Sequence, residues 1–284
     1  MKRLKMVIPK GHLYGNVVQL LNDAGFAVET DAEAYRPKVG FPGFEAKIMK
    51  PQNIPKLIEL GAHDLGFTGF DWIVESGAKL TEVMDLGFNP VRIAAAVPTT
   101  FSEAKAKRRK IIVASEYETI TRRFLDKRGF DAIFLRTYGA TEVFPPDDAD
   151  MIVDNVETGR TLQAHGLRIF AVLMESTTRL VVDPAVMKDA WKRERISEME
   201  MLLRGVLDAR GRVMLEMNVP ADKLAALVSI LPCMRSPTVS PLFADQGYAV
   251  KAAVRREEAA RLIPLLKKTG ASDILEYTFE KVVL

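Results

Sequence analysis

The chain has 284 residues, 48% hydrophobic and 27% charged, with a formal net charge of +3. That length can bury two or three domain cores, and so mild a charge excludes a strongly basic nucleic-acid binder. The single cysteine, Cys233, cannot form an internal disulfide, which suits a reducing cytoplasm. The opening MKRLKMVIPKG has only a short apolar run before Lys10 and reads as a first strand, not a secretion signal, and no apolar run reaches membrane-spanning length.

In chain order, the first ninety or so residues alternate strand and helix. Leu4 to Ile8 is a strand, and Val17, Leu20, Leu21 and Ala24 then repeat at helical spacing. Glu45 to Met49 is a second strand, followed by a helix with Ile54, Leu57 and Ile58 on one face. Asp64 to Thr68 is a third, ending in Thr68-Gly69 before a helix over Asp71 to Glu75. A second alternating unit starts near Val91, with strands at Val91 to Val97, Lys110 to Ala114, Asp131 to Leu135 and Asp150 to Asp154, and a helix around Thr121 to Lys127. Such alternation predicts parallel sheets covered by helices. Arg179 to Val182 looks like a returning strand, and Pro184 should start a long helix whose stripe of Ile196, Met199, Leu203 and Val206 packs, against the first unit by this reading. A chain that crosses between two α/β lobes and returns makes a hinged cleft. From Arg212 the order is strand, helix, strand, strand, helix, strand, which is the ferredoxin-like split unit.

The segment DNVETGRTL, Asp154 to Leu162, concentrates the chemistry. An apolar strand ends in Asp154, and ligands of open α/β sheets sit at the carboxyl ends of strands. Thr158-Gly159-Arg160-Thr161 then opens a helix over Thr161 to His165. Gly159 lets the backbone bend close to a ligand, backbone N–H groups at a helix start form a nest for phosphate, and the Thr158 and Thr161 hydroxyls and the charge of Arg160 add to it. Asp154 is placed to accept from ribose hydroxyls. The basic run Lys105 to Lys110 lacks interleaved aromatics and reads as a solvated face. His12, His63 and His165 lack metal-ligand spacing, so no zinc site is expected.

Five segments in order, IPKGHL from Ile8, KPQNIPKL from Lys50, DLGFTGFDWI from Asp64, YGATEVFPPDDADMIVDNVETGRTL from Tyr138 and LPCMRSPTVSPL from Leu231, resemble the long-form ATP phosphoribosyltransferase family over essentially the whole chain. The resemblance implies an α/β fold: a two-lobed, periplasmic-binding-protein-like catalytic core plus a C-terminal ferredoxin-like (ACT-type) regulatory domain. Residues 1–90 and 177–209 would form the first lobe, 91–176 the second, and 210–284 the regulatory domain. It implies transfer of phosphoribosyl from 5-phosphoribosyl 1-diphosphate to N1 of ATP with Mg²⁺, the first step of histidine biosynthesis. Lys10, Lys50 and Glu142 would be catalytic. Asp154, Thr158, Gly159, Arg160 and Thr161 would bind phosphoribosyl diphosphate, Thr68, Gly69 and Asp71 would bind ATP, and Asp154 and Glu142 would hold the metal. Histidine would inhibit through Asn218, Thr238 and Asp273, and the chain would form dimers that assemble into hexamers. Two other readings compete: a non-enzymatic amino-acid-binding regulator, and a phosphoribosyltransferase for another base. Against the second stands Asp154-Asn155, one acid where the commoner class has two.

Overall fold

The computed structural model describes residues 2–29 and 35–284. The chain forms two compact units, Met1–Gln19 with Ala27–Glu194, and Leu20–Phe26 with Arg195–Leu284.

In the larger unit the apolar runs become strands. β1 (Leu4–Pro9) is buried at every position but Lys5, because an interior parallel strand is covered on both faces. It is followed by α1 (Tyr14–Ala24), a two-stranded ribbon of β2 (Val28–Glu29) and β3 (Lys38–Val39), then β4 (Phe44–Met49), α2 (Ile54–Glu59), β5 (Leu65–Gly69), α3 (Phe70–Ser76) and β6 (Thr81–Asp85). The second lobe runs β7 (Val91–Pro98), α4 (Glu103–Ala106), β8 (Ile111–Ser115), α5 (Glu118–Arg128), β9 (Ala132–Arg136), β10 (Met151–Val156), α6 (Arg160–Ala164) and β11 (Leu167–Ser176). The chain then returns as β12 (Thr178–Val182).

The two five-stranded sheets have the orders β4-β1-β5-β12-β6 and β11-β7-β10-β8-β9. Neither is all parallel, contrary to the sequence reading. β12 enters from the opposite end and pairs antiparallel with β5 and β6, and β10 is parallel to β8 but antiparallel to β7. Strands β6 and β11, unforeseen in the sequence, complete this pattern. The two crossings run side by side: Leu86 N–H donates to Thr178 O at 3.0 Å and Thr178 N–H to Phe88 O at 3.1 Å.

The helix α7 (Ala190–Arg210) starts six residues later than Pro184 suggested. Val186–Lys188 forms a single 3-10 turn, and the Asp189 carboxylate then accepts the Lys192 N–H at 3.0 Å, a side-chain N-cap that sets the true start. Its predicted stripe of Ile196, Met199, Leu203 and Val206 is buried.

In the smaller unit β13 (Arg212–Val219), α8 (Leu224–Ser229), β14 (Thr238–Pro241), β15 (Tyr248–Arg255), α9 (Arg256–Thr269) and β16 (Ser272–Thr278) make a sheet of order β14-β15-β13-β16 with all neighbours antiparallel. The β13 side chains alternate, and Val213, Leu215, Met217 and Val219 meet Leu227, Leu262 and Leu266 in one core. This is the expected ferredoxin-like module. The whole is the α/β class read from the sequence, with a two-lobed core and an appended domain. Among the described residues, no helix is long and apolar enough to cross a membrane.

Candidate active site

Parallel pairing of β1 and β4 brings the residues that follow each strand to one end of the first sheet. Lys10 and Lys50 therefore stand as neighbours, with Lys10 N–H donating to Met49 O at 2.7 Å. The Lys10 ammonium donates to the Tyr35 hydroxyl at 3.1 Å and lies 4.9 Å from that ring's centroid. Both lysines line a cavity of about 520 Å³ between the lobes, with Gly69, Asp71 and Trp72 from the first lobe and Glu116, Tyr117, Asp154 and Asn155 from the second. A second cavity, about 290 Å³, lies over the Thr-Gly-x-Thr turn and is lined by Glu142, Thr158, Gly159 and Thr161. Asp154 and Asn155 wall both cavities.

The turn takes its shape from Gly159, which has φ +79°, a left-handed conformation that L side chains rarely adopt. A Cβ there would meet nothing nearer than Val156 Cγ1 at 3.8 Å, so backbone conformation and not crowding demands the glycine. The following helix starts at Arg160, one residue earlier than expected, and Gly159 itself is the N-cap residue. The first N–H groups of any helix lack intrahelical partners; here the Arg160 N–H donates to Thr158 Oγ1 at 3.5 Å, and Thr158, Gly159 and Thr161 line the smaller cavity.

Asp154 is the most perturbed acid of the site. Burial pushes its pKa up to about 6, and the negative charges of Glu116 and Glu142 add to the rise, against hydrogen bonds from the Asn155 N–H and the Thr141 hydroxyl. The Asn155 N–H to Asp154 bond measures 2.7 Å. Asp154 thus lies in the field of two further carboxylates, and among the described residues no ion pair offsets it, an arrangement that favours a positive charge or a set of donors arriving with a ligand.

The other side of the cavity is tied by hydrogen bonds. The Asp71 carboxylate accepts from the Ser176 hydroxyl at 2.6 Å and from the Tyr117 hydroxyl at 2.9 Å, while its own N–H donates to Ser176 Oγ at 3.0 Å. Tyr117 is 1% exposed and stacks on Trp72 with ring centroids 4.4 Å apart. Burial, then the Asp71 charge, raises the Tyr117 pKa well above its ordinary value, so the phenol stays a donor. Asp71 folds back over the start of α3 so closely that a Cβ on Gly69 would lie 2.1 Å from Asp71 Oδ1.

Thr68 lines neither cavity: it is wholly buried and its hydroxyl donates to Pro51 O at 3.0 Å. Arg160, the exposed first residue of the helix, also lines neither cavity. Gly69 makes room for Asp71 before it makes room for a ligand. Glu142 lies in a 3-10 turn (Thr141–Val143) and reaches only the smaller cavity. Sequence reasoning passed over Trp72, Glu116, Tyr117 and Ser176. Glu116 and Tyr117 follow β8 directly, so the rule that ligands gather at strand carboxyl ends could have found them.

In the smaller unit, Asn218 Nδ2 donates to Asp273 Oδ2 at 3.0 Å and the Ser272 hydroxyl donates to the same oxygen at 3.0 Å, which lowers the Asp273 pKa. Thr238 lies on edge strand β14, opposite Lys251 of β15, away from that pair. The structure thus joins two of the three expected effector residues and leaves the third apart.

Two α/β lobes around a nucleotide-sized cavity, with a strand that carries Asp154 near its carboxyl end and leads into the Gly159 turn, fit an enzyme of the phosphoribosyltransferase class. The sequence profile described as ATP phosphoribosyltransferase matches residues 50–205, more than half of the chain, and that of the family's C-terminal domain matches residues 209–281. The chain belongs to the ATP phosphoribosyltransferase family, in its long form. It is 39% identical over 290 residues to the ATP phosphoribosyltransferase of Chlorobium phaeovibrioides, covering 99% of this chain and 97% of the relative. It is 40% identical over 288 residues to that of Desulforudis audaxviator, covering 99% of each. Among solved structures, a chain of the ATP phosphoribosyl transferase (HisG:HisZ) complex from Thermotoga maritima is similar, with TM-score 0.64, 26% identity and coverage of 72% of this chain and 98% of that one.

Proposed function

We propose that the protein transfers phosphoribosyl from 5-phosphoribosyl 1-diphosphate to N1 of ATP, releasing pyrophosphate, as the first step of histidine biosynthesis in the cytoplasm. One observation carries this reading: Asp154 and Asn155 form a common wall between a nucleotide-sized cavity and the cavity over the Thr-Gly-x-Thr turn. Phosphoribosyl diphosphate lies with its 5-phosphate on Thr158, Gly159 and Thr161 and its ribose hydroxyls at Asp154, and ATP approaches from the side of Lys10, Lys50 and Asp71.

Adenine N1 carries a free lone pair at neutral pH, so the attack needs no strong general base, and rate comes from alignment and from stabilising the departing diphosphate. Lys10 and Lys50 neutralise phosphate oxygens. Asp154, ionised above about pH 6, accepts from the ribose. Mg²⁺ binds through one or two carboxylates together with substrate phosphates, and Asp154 and Glu142 both line the cavity over the Thr-Gly-x-Thr turn. Asp154 and Glu142 would hold it, and when bound it supplies charge neutralisation for the diphosphate.

The same reading includes inhibition by histidine at Asn218 and Asp273 and a homo-oligomer of dimers assembling into hexamers. Mixing the protein with ATP, 5-phosphoribosyl 1-diphosphate and Mg²⁺ should release pyrophosphate with a near-ultraviolet absorbance change. Added histidine should slow it. Folded protein that gives no turnover refutes the reaction, and turnover indifferent to histidine refutes the effector assignment.

A further inference from the structure

The helix α5 begins in the wall of the larger cavity: Glu116 and Tyr117 line that cavity and the first helical residue is Glu118. Its own N-cap residue supplies no capping side chain. Tyr117, the N-cap residue, makes no side-chain cap bond, because its hydroxyl is turned to Asp71. The first N–H groups of a helix must find acceptors, and here they find them on the other lobe. Glu75, on α3, accepts the Thr119 N–H on Oε1 and the Ile120 N–H on Oε2, both at 3.0 Å.

Glu75 forms no ion pair among the described residues. Its charge is instead placed where the amide dipoles of α5 favour an anion. Three adjacent points of one helix therefore grip the same turn: Asp71 by hydrogen bond, Trp72 by stacking and Glu75 by a two-pronged cap. Gln52 adds a fourth, with Nε2 donating to Glu116 Oε2 at 3.4 Å. Of these, Glu75 does not line the larger cavity and has no place in the chemistry described above.

We propose that Glu75 is a positioning residue for the transferase reaction: by capping α5 from across the lobes it fixes the Glu116–Tyr117 turn against the nucleotide side of the cavity. This rests on the reaction proposed above. Glu75→Ala removes both acceptors, whereas Glu75→Gln keeps one. A displaced turn misaligns bound substrates, so kcat should fall about tenfold or more in Glu75→Ala and less in Glu75→Gln, with KM for 5-phosphoribosyl 1-diphosphate changed within about twofold.

The stack of Trp72 on Tyr117 supplies a second readout. In a Trp191→Phe background, leaving Trp72 as the sole tryptophan, Glu75→Ala should shift the emission to the red. Unchanged kcat and emission in a folded Glu75→Ala protein overturn the proposal. If Glu75→Ala does not fold, Glu75→Gln decides: wild-type kcat and emission would reduce Glu75 to a stability role and overturn it. Absence of turnover in the parent protein refutes the reaction instead, and the emission shift then still tests the clamp.

Discussion

Replacing Asp154 with Asn should stabilise the free protein while destroying its grip on substrate. The folded chain holds the Asp154 proton more tightly than the unfolded chain does, with a pKa of about 6 against an ordinary 3.8. Between those values the native state binds more protons, so this group's contribution to stability falls as pH rises and stays at its lowest above about 6. The difference of about two pKa units corresponds to a ceiling of about 3 kcal/mol, and solvent screening at a partly exposed carboxylate reduces it to about 1–2 kcal/mol. Asn has the same shape and its Oδ1 can keep the bond from the Asn155 N–H, now 2.7 Å, so the exchange removes charge with little else. At pH 8, without ligands, Asp154→Asn should therefore melt about 2–6 °C above the parent. At pH 5 roughly half of that gain should remain, because the parent's Asp154 is then mostly protonated. Thermal melts at the two pH values measure this, and calorimetric titration with ribose 5-phosphate should show the variant binding at least about tenfold more weakly. A variant that melts below the parent at pH 8, or whose gain grows as pH falls, refutes the claim that Asp154 is held at a cost.

Gly159→Val should abolish binding of ribose 5-phosphate in the same titration while shifting the melt by only a few degrees, since the left-handed φ of +79° costs a side chain about 1–2 kcal/mol. Retained binding would remove the turn from the phosphate site. Tyr117→Phe leaves Asp71 Oδ2 without its 2.9 Å donor in a buried setting and should cost about 1–3 kcal/mol in denaturant unfolding. A neutral result would mean that water replaces the phenol. Asp273→Asn removes the anion that Asn218 and Ser272 hold, and inhibition by histidine should weaken about tenfold or more with kcat unaltered. An unaltered inhibition curve would clear Asp273 of contact with the effector.

Much was legible in the linear chain because it depends on local order. The run Met151 to Val153 has to be a buried strand, Gly159 has to bend the chain, and the stripe from Ile196 to Val206 has to pack on something. The alternation of β13 fixes which face of the terminal module is its core. Pairing direction was not legible, since an apolar strand has the same composition whichever way its neighbour runs. β12 could be recognised as a strand, but only the return crossing makes it antiparallel to β5.

The site divides along the same line. Lys10 and Lys50 were found in the sequence because each directly follows a strand, and parallel strands deliver their following residues to one end of a sheet; Asp154 and the Thr-Gly-x-Thr turn were found as a short motif, although β10 runs on through Asp154 to Val156. Whether a given side chain then faces a ligand or its own protein depends on partners far along the chain. Thr68 turned inward to Pro51, Asp71 was claimed by Ser176 from 105 positions away and by Tyr117 from 46, and Glu75 became the cap of a helix in the other lobe. By itself the sequence determined the class of fold, the family and the phosphate-type turn, all products of local periodicity and short motifs. Only the tertiary structure decided which polar groups are spent on holding the lobes together, because a hydrogen bond needs two partners and the chain order names only one at a time.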